Sequence, residues 1–326
     1  MKMMVDIDIK SPAEKISYDH SLFLTGSCFT EHIGGRLADL KFPVLQNPNG
    51  ILFDPISVCN SLQSYIEPIY YTASDLFFLN ELWQSWQHHS IFSGMHQQEV
   101  IDRINQSQQA AHSFLKKANW IIVTLGSAFS YRLIDKNVSV ANCHRAPGQW
   151  FNKHLVPIQE IANRLDDTII KLKAFNPTLK IIFTISPVRH LRDGVIENNR
   201  SKARLLEAVH QIVEQHDQCN YFAAYELVID VLRDYRFYDI DLAHPNYAAT
   251  EYVFEKFRES YIDKNAQQLM EEVKQLITAY KHKPFQPTTE AHKHFLKRSL
   301  EKTAQLQLQL PQLDFSKELR FFSGEE

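Results

Sequence analysis

The sequence predicts an α/β fold, a parallel sheet with helices on both faces. Two observations lead there. Runs of strand length are mostly apolar instead of alternating, the pattern of strands buried on both sides. Amphipathic helical stretches separate those runs, an order that builds parallel sheets. With 326 residues, 44% of them hydrophobic, the chain can bury a full core as one large domain or as one domain with an appendage.

In chain order, strands are expected at Ser21–Thr25, Phe42–Gln46, Trp120–Leu125, Leu179–Ile185 and Tyr221–Ala224. After the first, Phe29, Ile33, Leu37 and Leu40 recur at helical spacing; Glu99–Lys117, Ile158–Phe175 and Asn199–His216 are the other helices. Ser57–Ser93, with Trp83, Trp86, His88 and His89, reads as an insertion between strands two and three. Tyr131–Asp135 and Val138–Asn142 flank Lys136-Asn137, a weak hairpin signal. Beyond about Lys264 a stripe of Leu269, Val273, Leu276 and Tyr280 is broken by Pro284 and Pro287, and Phe295, Leu296 and Leu300 suggest another helix. The expected division is therefore a domain over 1–263 and a helical appendage over 264–326, which packs on the domain or on another subunit and so offers a route to a homo-oligomer.

Composition excludes several classes. Thirty-five basic and 38 acidic residues leave a net charge of -3 with no basic run, which argues against nucleic acid and against a membrane surface as partners. The N-terminal MKMMVDIDIKSPAEK has no apolar core of the signal-peptide kind, and no stretch approaches a membrane span. Cys28, Cys59, Cys143 and Cys219 have irregular spacing, as free thiols in a cytoplasm would. Cys143-His144 with His88, His89 and His96 lacks the close spacing of a metal site, so neither metal nor other cofactor is expected.

The chemistry concentrates in two places. Strand one ends in Gly26-Ser27-Cys28-Phe29 and runs into a helix. A serine there projects from the C-terminal edge of the sheet, where open α/β folds bind ligands. Its backbone N–H would sit at a helix N-terminus, facing any oxyanion formed on attack. The plain alternative is a helix-capping serine. Cys28 is one helical step away, about 100° round, so both cannot face one pocket, and packing is its default role. The second place is Asp241-Leu242-Ala243-His244-Pro245-Asn246, just before another helix. The i,i+3 spacing lets the Asp241 carboxylate turn back onto one ring nitrogen of His244, leaving the other free as a general base. A helix start disfavours an imidazolium, so a carboxylate is needed to support one during proton transfer.

GSCF after strand one and DLAHPN near the end of the sheet region resemble the GSCFA family, a branch related to SGNH (GDSL-type) hydrolases. NPNGILFDP (Asn47–Pro55), VTLGSAFSYR (Val123–Arg132), VANCHRAP (Val140–Pro147) and TISPVRH (Thr184–His190) support the resemblance, which covers about Ser21 to Phe257. It implies a three-layer α/β/α domain with Ser27 as nucleophile, His244 as base and Asp241 as its orienter. SGNH enzymes build the oxyanion hole from the serine N–H, a glycine after strand two and an asparagine after strand three. Gly50 matches the glycine. Where the asparagine would stand this chain reads Gly126-Ser127-Ala128-Phe129, so Asn142 or His144 is expected to return to the site and replace it, with Ser127 a lesser candidate. Gly126, Ser127, His144 and His96 are the expected substrate contacts; the His88–Ser90 and Ser93–His96 stretches read either as pocket wall or as a polar loop.

The expected activity is two-step acyl transfer, with water as acceptor in an esterase or a sugar hydroxyl in an acyltransferase. By analogy with SGNH relatives the substrate is a small-molecule or glycan ester. Two other classes remain open: a non-catalytic ligand-binding protein derived from a hydrolase, and an assembly component acting through its C-terminal helices.

Overall fold

The computed structural model describes residues 4–325. Residues 1–3, the head of the segment read as lacking an apolar core, and residue 326, the end of FFSGEE, lie outside the described residues. In chain order, β1 (Leu22–Gly26), α1 (Phe29–Asp39), β2 (Val44–Gln46) and α2 (Pro55–Ile66) come first. A hairpin of β3 (Phe77–Leu79) and β4 (Leu82–Gln84) leads to α3 (Gln97–Leu115) and β5 (Trp120–Leu125). Then come β6 (Phe129–Leu133), β7 (Ser139–Val140), β8 (Phe151–Leu155), α4 (Ile158–Phe175), β9 (Lys180–Ile185), α5 (Val195–Gln215) and β10 (Cys219–Tyr221). The helical turn α6 (Ala224–Glu226) continues into a π-helical stretch, Leu227–Leu232; α7 (Tyr247–Tyr261), α8 (Lys264–Lys281), α9 (Glu290–Gln309) and α10 (Ser316–Ser323) follow.

Five parallel strands form the central sheet in the order β10-β9-β5-β1-β2. Phe23 pairs with Ile121 on one side and Leu45 on the other, and Ile121 pairs onward with Ile181. Because successive side chains point to opposite faces, the apolar runs feed two separate cores. Leu22, Leu24, Trp120, Ile122 and Ile182 pack against α1, α7 and the helices beyond. Phe23, Ile121, Val123, Ile181 and Phe183 pack against α2, α3, α4 and α5. This is a three-layer α/β/α sandwich, as expected. Each fully buried Leu or Phe contributes roughly 1.5–3 kcal/mol, so apolar runs in the middle of the sheet have no comparably stable alternative.

Three expectations change. The stretch read as an insertion begins with α2, a core helix: Ile56, Val58, Cys59 and Leu62 are buried against the sheet. The last strand is Cys219–Tyr221, not Tyr221–Ala224, because the chain turns into α6 at Ala224. The hairpin forms, with Tyr131 opposite Val140, but β6 also pairs with β8, giving a small three-stranded sheet.

The C-terminal helices join the first core. Met270, Val273 and Leu276 of α8, Leu306 of α9 and Phe322 of α10 share a cluster with Phe29, Ile33 and Phe42. Lys41 Nζ lies 2.8 Å from the Glu318 carboxylate, and Ile16 bridges to Ile262. Among the described residues, no helix is long and apolar enough to cross a membrane.

Candidate active site

β1 ends at Gly26, whose φ of +136° is open only to glycine at no cost; a Cβ there would stand 2.1 Å from the Thr124 carbonyl oxygen. Its N–H donates to Asn47 Oδ1 at 3.0 Å, and its carbonyl accepts from Leu52 N. The NPNGILFDP segment is thereby strapped across the end of β1.

Ser27 follows with 3% of its surface exposed. Its hydroxyl does not cap α1: the N-cap position falls to Cys28, with no side-chain cap bond. Ser27 Oγ is buried and makes no hydrogen bond. Leaving a buried hydroxyl unpaired costs about 1–3 kcal/mol, and the hydroxyls of Thr30, Ser57 and Thr184 are in the same state. The Cys28 thiol is half-buried, and burial followed by the nearby Glu31 carboxylate pushes its pKa up.

The second half of the site is the turn before α7. Asp241 Oδ1 accepts from the backbone N–H groups of Ala243 (2.9 Å) and His244 (3.0 Å), and Oδ2 lies 2.6 Å from His244 Nδ1. Those backbone donors, with the imidazole, hold the Asp241 pKa at about 2. Nδ1 is thus engaged, and Nε2 makes no hydrogen bond among the described residues. Leu242 between them has φ +57°, a strained value for a branched side chain, of the kind that clusters at functional sites. The turn is closed by Asp239 N–H to the His244 carbonyl at 2.8 Å, and Asn246 caps α7 through Ala249 N–H. Arg189 N–H donates to the Ala243 carbonyl at 3.0 Å, tying the turn to the loop after β9. Both acidic and imidazole side chains are 47% exposed, and no hydrogen bond joins His244 to Ser27.

The backbone donors expected for an oxyanion hole are in use. Ser27 N–H donates to the Thr124 carbonyl at 3.0 Å, an extension of the β1–β5 pairing. Gly50 N–H donates to the Asn47 carbonyl at 2.7 Å within its own turn. The expected replacements are also engaged elsewhere. His144 Nε2 lies 2.8 Å from the Ser85 carbonyl and Nδ1 3.3 Å from Ser90 Oγ, and its ring packs on Phe77 and Trp86. Asn142 donates to Ser90 Oγ and accepts from His144 N–H. The hairpin brings both to the His-rich insert, and their side-chain bonds are made there. Ser127 is a buried structural residue, with Oγ 3.2 Å from Ser201 Oγ and accepting from Phe129 N–H. His96 stands at the start of α3 in a separate hollow with Met95, Glu99 and Arg103.

Gly126, in contrast, is central. A Cβ on it would lie 3.2 Å from Ser27 Cβ and 3.4 Å from His190 Nε2. Two residues around it were not singled out by the sequence. His190, in the TISPVRH block, is largely buried, and burial followed by the Lys202 ammonium lowers its pKa to about 4. Lys202 is 1% exposed; Nζ donates to the carbonyls of Gly126 (2.5 Å) and Ser186 (2.6 Å), and burial lowers its pKa to about 7. In sequence it sits in the polar run Asn199–Lys202, which reads as a solvated helix start.

A cavity of about 710 Å³ runs between α1, α7 and α8, lined by His32, Arg36, Tyr247, Phe254, Met270 and Lys274 among others, and neither Ser27 nor His244 lines it. Among the described residues, no group of His, Cys, Asp and Glu is arranged to hold a metal ion.

No curated protein matches the chain. Among solved structures, an acetyl xylan esterase (Est2A) from the rumen bacterium Butyrivibrio proteoclasticus is similar at 11% identity and a TM-score of 0.37, over 75% of this chain; the chain spans 65% of that one. Residues 273–325 match the GSCFA domain protein, C-terminal domain. Residues 21–257, which hold both the Ser27 turn and the His244 turn, match the GSCFA family, and the chain belongs to that family.

Proposed function

We propose that the protein is a serine-dependent ester hydrolase or O-acyltransferase in which Ser27 is the nucleophile, His244 the general base and Asp241 its orienter. One observation carries the reading: an Asp241–His244 pair at 2.6 Å, on a strained turn bonded to the loop after β9, accompanies a serine whose buried hydroxyl has no partner. His244 Nε2 takes the hydroxyl proton as Oγ attacks the ester carbonyl; the alcohol then leaves with that proton. Water or a second hydroxyl, deprotonated by His244, resolves the acyl-enzyme. The His244 ring is 47% exposed and not locked in place by packing, and nucleophile–base hydrogen bonds are often long before substrate binds. An acylated carbohydrate is proposed as substrate on the resemblance of the motifs to SGNH hydrolases.

The test is a fluorophosphonate probe with hydrolysis of a short-chain aryl ester. Wild type is expected to label and turn over, Ser27→Ala to do neither. His244→Ala is expected to lose on the order of 10²–10⁴ in kcat with KM nearly unchanged. Folded wild type that neither labels nor hydrolyses supports the rival reading, a non-catalytic ligand-binding protein.

A second reading rests on exposure. Ser27 is closed off from solvent, whereas Cys28 at the start of α1 is only half-buried. If Cys28 were the nucleophile, Cys28→Ala and not Ser27→Ala would abolish turnover, and iodoacetamide would block it.

A further inference from the structure

A tetrahedral intermediate on Ser27 needs hydrogen-bond donors, and the two backbone N–H groups that the motifs point to are committed to Thr124 and Asn47. Asn142 and His144 are committed to the insert. We propose that His190 supplies the missing donor, holding the oxyanion formed at Ser27 through its imidazole N–H. This inference rests on the ester-hydrolase reading and names a residue that reading does not use.

Position is the first argument. His190 is held from two sides: its own N–H donates to Asn198 Oδ1 at 2.9 Å, and the preceding Arg189 N–H donates to Ala243 beside His244. The ring rests against Phe53, centroids 5.3 Å apart. Its Nε2 and Ser27 Cβ border the same point, 3.4 and 3.2 Å from where a side chain on Gly126 would begin. A side chain on Gly126 would contact both.

The second argument is vacancy. Among the described residues neither ring nitrogen of His190 makes a hydrogen bond, so its imidazole N–H is free to meet a ligand. Ser27 Oγ beside it is also unpaired. Two unpaired polar groups bordering one glycine are explained together if a substrate carbonyl joins them.

Charge state is the third. Lys202, Asp193, His244 and Lys153 are the charged or titratable groups that act on His190, and burial with Lys202 outweighs Asp193, keeping the ring neutral at pH 7. A neutral imidazole can donate one N–H to a developing alkoxide without giving its proton away or competing with His244 as base. Lys202 contributes geometry as well. Bonded to the carbonyls of Gly126 and Ser186, it ties the ends of β5 and β9 together, the two strands whose following loops carry Gly126 and His190.

The experiment compares wild type, His190→Ala and His190→Gln in aryl-ester hydrolysis and in rate of fluorophosphonate labelling, with thermal unfolding as a check on folding. His190→Ala is expected to lose on the order of 10²-fold in kcat with KM within about twofold, because an oxyanion donor acts on the transition state alone. Glutamine keeps an N–H donor and is expected to restore at least about tenfold of that loss, which a merely structural role would not predict. An active wild type whose His190→Ala variant keeps kcat within about threefold, or changes KM alone, overturns this inference and leaves the triad standing. A folded wild type that neither labels nor hydrolyses sinks the ester-hydrolase reading and this one with it.

Discussion

Gly26 shows how tightly one residue can set the site. Its positive φ turns the chain at the end of β1, and a Cβ 2.1 Å from the Thr124 oxygen cannot be relieved by a side-chain rotation, since that oxygen is backbone. Gly26→Ala is therefore expected to cost about 2–4 kcal/mol of stability and to disturb Ser27, measured as a lower urea midpoint together with lost probe labelling. The Asp241–His244 pair differs in kind. Both side chains are half exposed, so the pair adds little to stability. Its value is orientation: the carboxylate is pre-set by two backbone N–H groups before it meets the ring.

At the level of elements, α2 carries the next expectation. Asp54 caps it by accepting from Ser57 N–H at 3.1 Å and also receives the Ser130 hydroxyl at 2.9 Å, so one buried carboxylate joins α2 to β6. Asp54→Ala is expected to lose about 1–3 kcal/mol in urea unfolding, from the cap and from the orphaned Ser130 hydroxyl; Asp54→Asn, which keeps an acceptor, should lose less. α2 also shows why part of the fold was hidden in the sequence. Its buried face includes Ser57, Ser61 and Ser64, and Ser61 and Ser64 return their hydroxyls to Val58 and Ser61 carbonyls within the helix. Polar residues satisfied in this way blur the apolar stripe that marks a core helix. Strands such as Trp120–Leu125 were legible because every position is buried, and the Asp241–His244 pair because its geometry is local. His190 and Lys202 were not legible. Their meeting with Gly126 depends on the register of β5 with β9 and on where α5 crosses, neither of which any short segment encodes.

For the whole molecule, buried bases govern the response to pH. His88 is 1% exposed and burial lowers its pKa to about 3; that of His190 is lowered to about 4, against an ordinary 6.5 for both. The unfolded chain therefore binds more protons as pH falls below 6.5, and stability declines from there toward about 4. Asp241 acts in the same sense lower down, its contribution lost between 3.8 and about 2. Lys202, lowered from 10.5 to about 7, makes stability rise with pH across that interval. Urea midpoints are expected to rise between pH 5 and 6.5, with His88→Phe flattening that rise. A midpoint independent of pH below 6.5 would show that these imidazoles are not buried neutral in solution.

The sharing of one core by α1 and α8–α10 has a consequence for synthesis. Leu22, Phe29, Ile33 and Phe42 are made before Leu313, Phe315 and Phe322, which share their cluster but follow nearly three hundred residues later in the sequence. Until then that side of the nascent sheet is a sticky, uncovered surface, open to chaperones and proteases. A variant lacking α10 is therefore expected to leave part of that core uncovered and to be cleaved faster in limited proteolysis.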